Sequence, residues 1–93
     1  MIVQSLYITL YAPWVHSLKD KRTVVKGLCA KAKNRFNVSI AEVDEQDTHQ
    51  TIVLGVACVA TTMLLSDGIL DSVIRFVEGN TQAEITNLER EVR

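Results

Sequence analysis

An α+β fold with the element order βαββαβ is what this sequence predicts, and three observations predict it. Residues 2–11 alternate with period two: Ile2, Leu6, Ile8 and Leu10 on one side, Val3, Ser5, Tyr7, Thr9 and Tyr11 on the other. Two later segments, 37–46 and 51–60, are rich in β-branched residues and are separated only by the polar stretch Glu45–Gln50, the pattern of a hairpin. Between and after these lie two stretches whose apolar residues recur at helical spacing.

Taken in order, the first strand stops at Pro13, which cannot extend a ladder from the interior of a sheet. The first helix starts at Ser17. Ser17-Leu18-Lys19-Asp20 has the form of a capping box, the serine covering an orphan amide and the acid reaching back. At 100° per residue, Leu18, Val25, Leu28, Cys29, Ala32 and Phe36 make an apolar stripe. Lys19, Arg22, Lys26 and Lys33 make a second stripe, displaced around the helix.

The segment TIVLGVACVA at 51–60 is almost wholly apolar, which places it centrally in a sheet. Gly55 within it marks a bulge or the close approach of a neighbour. Thr61 or Thr62 caps a second helix running to about Val77, with Leu65, Ile69, Val73, Phe76 and Val77 at helical spacing and Gly79-Asn80 as the stop. Residues 83–92 read as a last strand, but Ile85 and Leu88 have opposite parity, which leaves its register open.

Right-handed crossovers then place the first and third strands in the centre of a four-stranded antiparallel sheet with both helices on one face, a ferredoxin-like sandwich spanning residues 1–93 as one domain. The opposite face, carrying Val3, Tyr7, Tyr11, Val53, Ala57 and Val59, is too apolar to leave wet, so self-association through it is expected.

Composition narrows the function classes. With 47% apolar and 23% charged residues, the chain is an ordinary globular sequence. No apolar run approaches the roughly 18 residues needed to cross a bilayer, and the first residues lack a basic n-region, so no membrane association and a cytoplasmic location are expected. Cys29 and Cys58 have no CxxC partner and read as small buried hydrophobes.

Net charge is −1, yet seven of the ten bases (Lys19, Lys21, Arg22, Lys26, Lys31, Lys33, Arg35) fall between positions 19 and 35 with only Asp20 against them. Lys19, Lys21 and Arg22 crowd the first turn, where the helix dipole is already positive and each cation costs about 0.3–1 kcal/mol. Such a turn suits an anion such as phosphate. The expected binding surface is therefore His16, Ser17, Lys19, Lys21, Arg22, Lys26, Lys33 and Arg35, the stripe flanked by Lys21 and Arg35.

Other chemistries lack their residues. The third strand has neither the aromatics nor the bases that RNA-recognition modules carry there, so Tyr7 and Tyr11 read as packing residues. Asp44, Glu45, Asp47 and His49 match no cation-binding spacing, and no metal or cofactor is expected. The first strand-to-helix loop, Ala-Pro-Trp-Val-His-Ser, lacks the glycine-rich cradle and arginine of an acylphosphatase. No nucleophile has a base and an orienting acid at motif spacing, and no catalytic residue is assigned. Trp14 stands out in that loop; a buried one would pack, an exposed one would mark a contact site.

The run His16-Ser17-Leu18-Lys19-Asp20-Lys21-Arg22, then Arg35-Phe36-Asn37-Val38-Ser39, Glu42, Leu54-Gly55-Val56-Ala57 and Arg75-Phe76-Val77-Glu78, resembles the YlxP-like family of small bacterial proteins. The resemblance spans nearly the whole chain. It implies a ferredoxin-like fold and, since genes of that family often lie beside those for ribosome maturation and translation initiation, a role near RNA or the ribosome. The chain departs from the family pattern at His49, where an aromatic is frequent, and near Thr51, where a base is frequent. The functional expectation is a non-catalytic accessory factor holding structured RNA through its first helix, with a homo-oligomeric interaction module as the alternative.

Overall fold

The computed structural model describes residues 1–93, and the elements follow in the expected order: β1 (Ile2–Tyr11), α1 (Leu18–Arg35), β2 (Ser39–Asp44), β3 (Thr51–Ala60), α2 (Met63–Asn80) and β4 (Glu84–Val92). The strands form one sheet in the order β2-β3-β1-β4, every neighbour antiparallel. This is the ferredoxin-like arrangement. β1 and β3 are central because each helical crossover must return to the sheet with the same hand.

Alternation sorts the residues of the central strands. Leu6, Ile8 and Leu10 of β1 and Ile52, Leu54, Val56 and Cys58 of β3 are buried beneath the helices. They meet Val25, Leu28 and Ala32 of α1 and Leu70, Val73 and Val77 of α2 in one apolar cluster. Burying each large aliphatic side chain contributes roughly 1.5–3 kcal/mol. One polar knot interrupts this core: Ser66 of α2 donates to Gln4 Oε1 of β1 and lies 3.3 Å from Cys58 Sγ, so none of the three buried polar groups is orphaned.

Two bulges set the faces of the edge strands. In β4 the pairing steps from Thr9↔Asn87 to Leu10↔Ile85, leaving Thr86 as an extra residue. Ile85 and Leu88 therefore sit opposite Leu10 and Ile8, both on the helix face, which resolves their conflicting parity. In β2 the pairing steps from Glu42↔Leu54 to Asp44↔Val53, with Val43 as the extra residue. Glu42 keeps the helix-facing parity of Ile40, Val43 lies over β3, and Asp44 past the bulge pairs with Val53 on the open face. A Cβ at position 55 would sit 2.7 Å from Val43 Cγ1, so the expected close approach at Gly55 is made by this valine.

Candidate functional site

α1 is held at its start by Ser17, whose Oγ accepts from Asp20 N at 3.1 Å, and at its end by the Phe36 amide on Ala32 O. One half of the expected capping box is thus present, while the carboxylate of Asp20 makes no return bond. Ser17 is consequently spent on the helix itself. His16, just ahead of it, is exposed and shares a concavity of about 620 Å³ at the hairpin tip with Tyr11, Asp47 and His49. No three His, Cys, Asp or Glu side chains in the fold are grouped to hold a metal ion.

Lys19, Arg22, Lys26 and Lys33 are all exposed, and none lies within ion-pair distance of an acid. Arg35 is exposed too, but its guanidinium is steadied over two rings, 5.8 Å from the centroid of Phe36 and 5.6 Å from that of Phe76. The two rings meet edge to face at 5.6 Å. A planar cation held this way keeps its donors free for a phosphate.

Lys21 departs from its expected place in that surface. It is 1% exposed, the largest fully buried side chain in the protein. Its ammonium donates to the carbonyls of Glu45 and Thr48, the latter at 2.6 Å, and lies 2.9 Å from Glu42 Oε2. All three donors are used within the protein, so none is left for a ligand. The reason is its position: Lys21 stands four residues before Val25, seven before Leu28 and eleven before Ala32, on the core-facing stripe itself. That spacing was the available signal. Glu42, its partner, faces inward by the same alternation as buried Ile40 two residues before it, ahead of the bulge.

The ammonium also closes the turn between β2 and β3. Glu45 adopts φ 54°, left-handed for a residue with a side chain, and its amide is covered by Asp44 Oδ1 at 2.8 Å. Lys21 thus binds the hairpin tip to the first turn of α1, and its pairing with Glu42 neutralises one of the three cations crowded there.

The opposite face of the sheet carries the residues expected at an interface between copies. Val3 and Val53 are half-buried, whereas Tyr7, Tyr11, Ala57 and Val59 are exposed, Val59 to 56%. Ala41 and Val43 of β2, absent from the sequence reading, extend this patch. Along β4 it is edged by Glu84, Glu89 and Glu91, opposite Tyr11, Tyr7 and Ser5. An apolar surface with an acidic edge repels phosphate, so the two faces differ in what they can bind. Cys29, half-buried on α1, has its thiol pushed up from its ordinary value by burial, with Lys33 pulling the other way and Glu42 adding to the rise.

A family model described as "Protein of unknown function (DUF503)" matches residues 3–90. The chain belongs to this family. Among DUF503 relatives, the "Uncharacterized protein YlxP" of Bacillus subtilis (strain 168) is 37% identical over 70 residues, covering 75% of this chain and 76% of that protein. Family membership fits the ferredoxin-like fold and leaves function to the surfaces themselves. No helix of this DUF503 protein is long and apolar enough to cross a membrane.

Proposed function

We propose that this DUF503 protein is a non-catalytic accessory factor of the cytoplasm, one domain that docks on structured RNA or ribosomal phosphate. The contacts are Lys19, Arg22, Lys26 and Lys33, with His16 ahead of the row and Arg35 on the flank of α1 that meets Phe76. The observation that carries the reading is the unpaired state of these cations, on a protein whose Arg90 in β4 and Arg93 just after it are both in ion pairs. A row of free cations on one rigid helix matches a row of phosphates, and such contacts give affinity with little sequence specificity.

The test is a titration against structured ribosomal RNA fragments at several salt concentrations. Binding should weaken with a log–log slope of about −0.9 per phosphate and report about three or more contacts. The triple variant Lys19→Glu, Arg22→Glu, Lys26→Glu should fold normally and lose binding by about a hundredfold, the scale expected when several phosphate contacts are removed together. Unchanged binding in the variant would end this reading.

A second reading is favoured by a separate observation, the exposed apolar cluster of Tyr7, Tyr11, Val43 and Val59. Here the open sheet face packs on a second copy, and the helix row stays outside the interface. Light scattering on the eluting protein should give the mass of two chains, reduced to one by Val59→Asp. A single-chain mass at high protein concentration removes this reading.

A further inference from the structure

A groove of about 570 Å³ runs between the helices, within the range of about 300–1,000 Å³ typical of ligand sites. Trp14, Gly27 and Lys31 form one part of its wall, and Asn80, Thr81 and Gln82 at the end of α2 form the other. Lys31 is an exposed cation of α1 that lies off the Lys19–Lys33 stripe, on the flank turned to this groove. Trp14, which would be hidden if it served only packing, is 44% exposed here.

The chemistry of the wall selects an occupant. An indole face open to solvent offers a stacking surface. Beside it stand polar groups with capacity to spare: the Gln82 amide makes no hydrogen bond within the protein, and Asn80 spends its amide nitrogen on Phe76 O at 2.8 Å while its carbonyl oxygen stays free. The last carbonyls of α2 have no intrahelical donor, and no basic residue in that turn offsets the negative end of its dipole. The Asn80 oxygen, the last carbonyls of α2 and the Gln82 amide thus line one side, a lysine stands on the other, and Gly27 leaves the groove open, with no atom within 4 Å of the place a Cβ would take.

We infer that this groove takes one unpaired nucleobase of an RNA docked on α1, stacked on Trp14 with its exocyclic amine toward Asn80 and the end of α2. Lys31 then meets the adjoining phosphate. The inference rests on the RNA reading above and deepens it: the basic stripe supplies affinity for any folded RNA, and the groove adds a preference for RNA with a base out of its stack. Adenine fits better than uracil, because it stacks over more area and carries an amine donor where uracil has a carbonyl.

Trp14 is the only tryptophan, so its emission reports the groove directly. Short single-stranded adenine and uracil oligonucleotides and a loopless RNA duplex would each be titrated by Trp14 fluorescence and by anisotropy of the labelled RNA. The adenine strand should quench Trp14 saturably and bind more tightly than the uracil strand. Gly27→Leu, which fills the groove without a backbone clash and removes a helical glycine, should melt no lower than the parent. It should weaken the adenine strand about tenfold, the scale of one base–aromatic stack, and leave the duplex unaffected. Adenine binding with unchanged Trp14 emission, or with full affinity in Gly27→Leu, overturns the base pocket while duplex binding keeps the stripe. Absence of binding by both strands and duplex at low salt overturns the stripe and the pocket together.

Discussion

α1 and α2 are matched in most structural respects. Each has 18 residues, and each is capped by a hydroxyl, Ser17 Oγ or Thr62 Oγ1, that accepts the amide three residues on. Each lays an apolar stripe on the same side of the sheet, and each carries an exposed glycine within its length. Their charge is opposite. α1 holds seven bases and one acid, α2 one base and three acids. The acids of α2 are partly answered from within, since Arg90 of β4 reaches Asp71 and lies 3.6 Å from Asp67. The cations of α1 are not answered, with Lys21 the exception. Two helices that serve the fold equally thus differ in whether their charges are satisfied, and that contrast is what the proposed docking surface rests on.

The sharpest way to break the comparison is through its exception. Lys21→Met should leave the Glu42 carboxylate and two turn carbonyls without their donor. The loss expected is about 3–5 kcal/mol, as for other buried pairs cut on one side. Lys26→Met on the same helix should change stability by no more than about 0.5 kcal/mol. Adding Glu42→Leu to Lys21→Met should restore most of the loss, because an apolar pair of similar volume replaces the ions. Urea denaturation of the four proteins reads all three terms. Equal stability of Lys21→Met and the parent would mean that the hairpin tip is not held by this ammonium.

Next in size is the charge itself. The triple reversal on α1 should cost about 2.7 kcal/mol of RNA binding, the equivalent of a hundredfold. Arg75→Glu, the matching change at the one base of α2, should leave affinity within about twofold, because an isolated surface charge contributes little. If Arg75→Glu weakened binding as strongly as a change on α1, the docking surface would run across both helices and the row of α1 cations would no longer define it.

How much of this was legible beforehand differs by level. Element order, strand centrality and the helix face of the sheet follow from periodicity alone, since Leu6, Ile8 and Leu10 alternate cleanly and Val25, Leu28 and Ala32 repeat with the helix. The exposed stripe Lys19, Arg22, Lys26 and Lys33 was legible for the same reason. Lys21 was misplaced because residue type was allowed to outweigh spacing: four methylenes let a lysine enter a core and still deliver its charge to carbonyls across it. The two bulges were out of reach. An extra residue at Val43 or Thr86 changes the facing of its neighbours with no local mark in composition, and only pairing with β3 or β1 fixes where it falls. The groove at Trp14 was illegible for a related reason, since its walls come from residues 14, 27–31 and 79–82, which only the packing of α1 against α2 brings together.

The smallest predicted effect turns on the glycines that the helices share. Neither Gly27 nor Gly68 has an atom within 4 Å of a Cβ position, so both accept alanine without a clash. Each substitution should stabilise by about 0.5–1 kcal/mol through helix propensity, raising the melting temperature by about 2–8 °C in a domain of this size. At Gly68 the gain should come free of any change in RNA binding. At Gly27 a methyl begins to fill the groove beside Trp14, so the same gain in stability should accompany a small loss of affinity for single-stranded adenine. If both alanines stabilise equally and neither alters binding, the glycine in α1 is as incidental as its counterpart in α2. A loss confined to position 27 would make it a residue kept at the expense of helix stability for what lies in the groove, and would separate the two helices by function at the one feature where their backbones are alike.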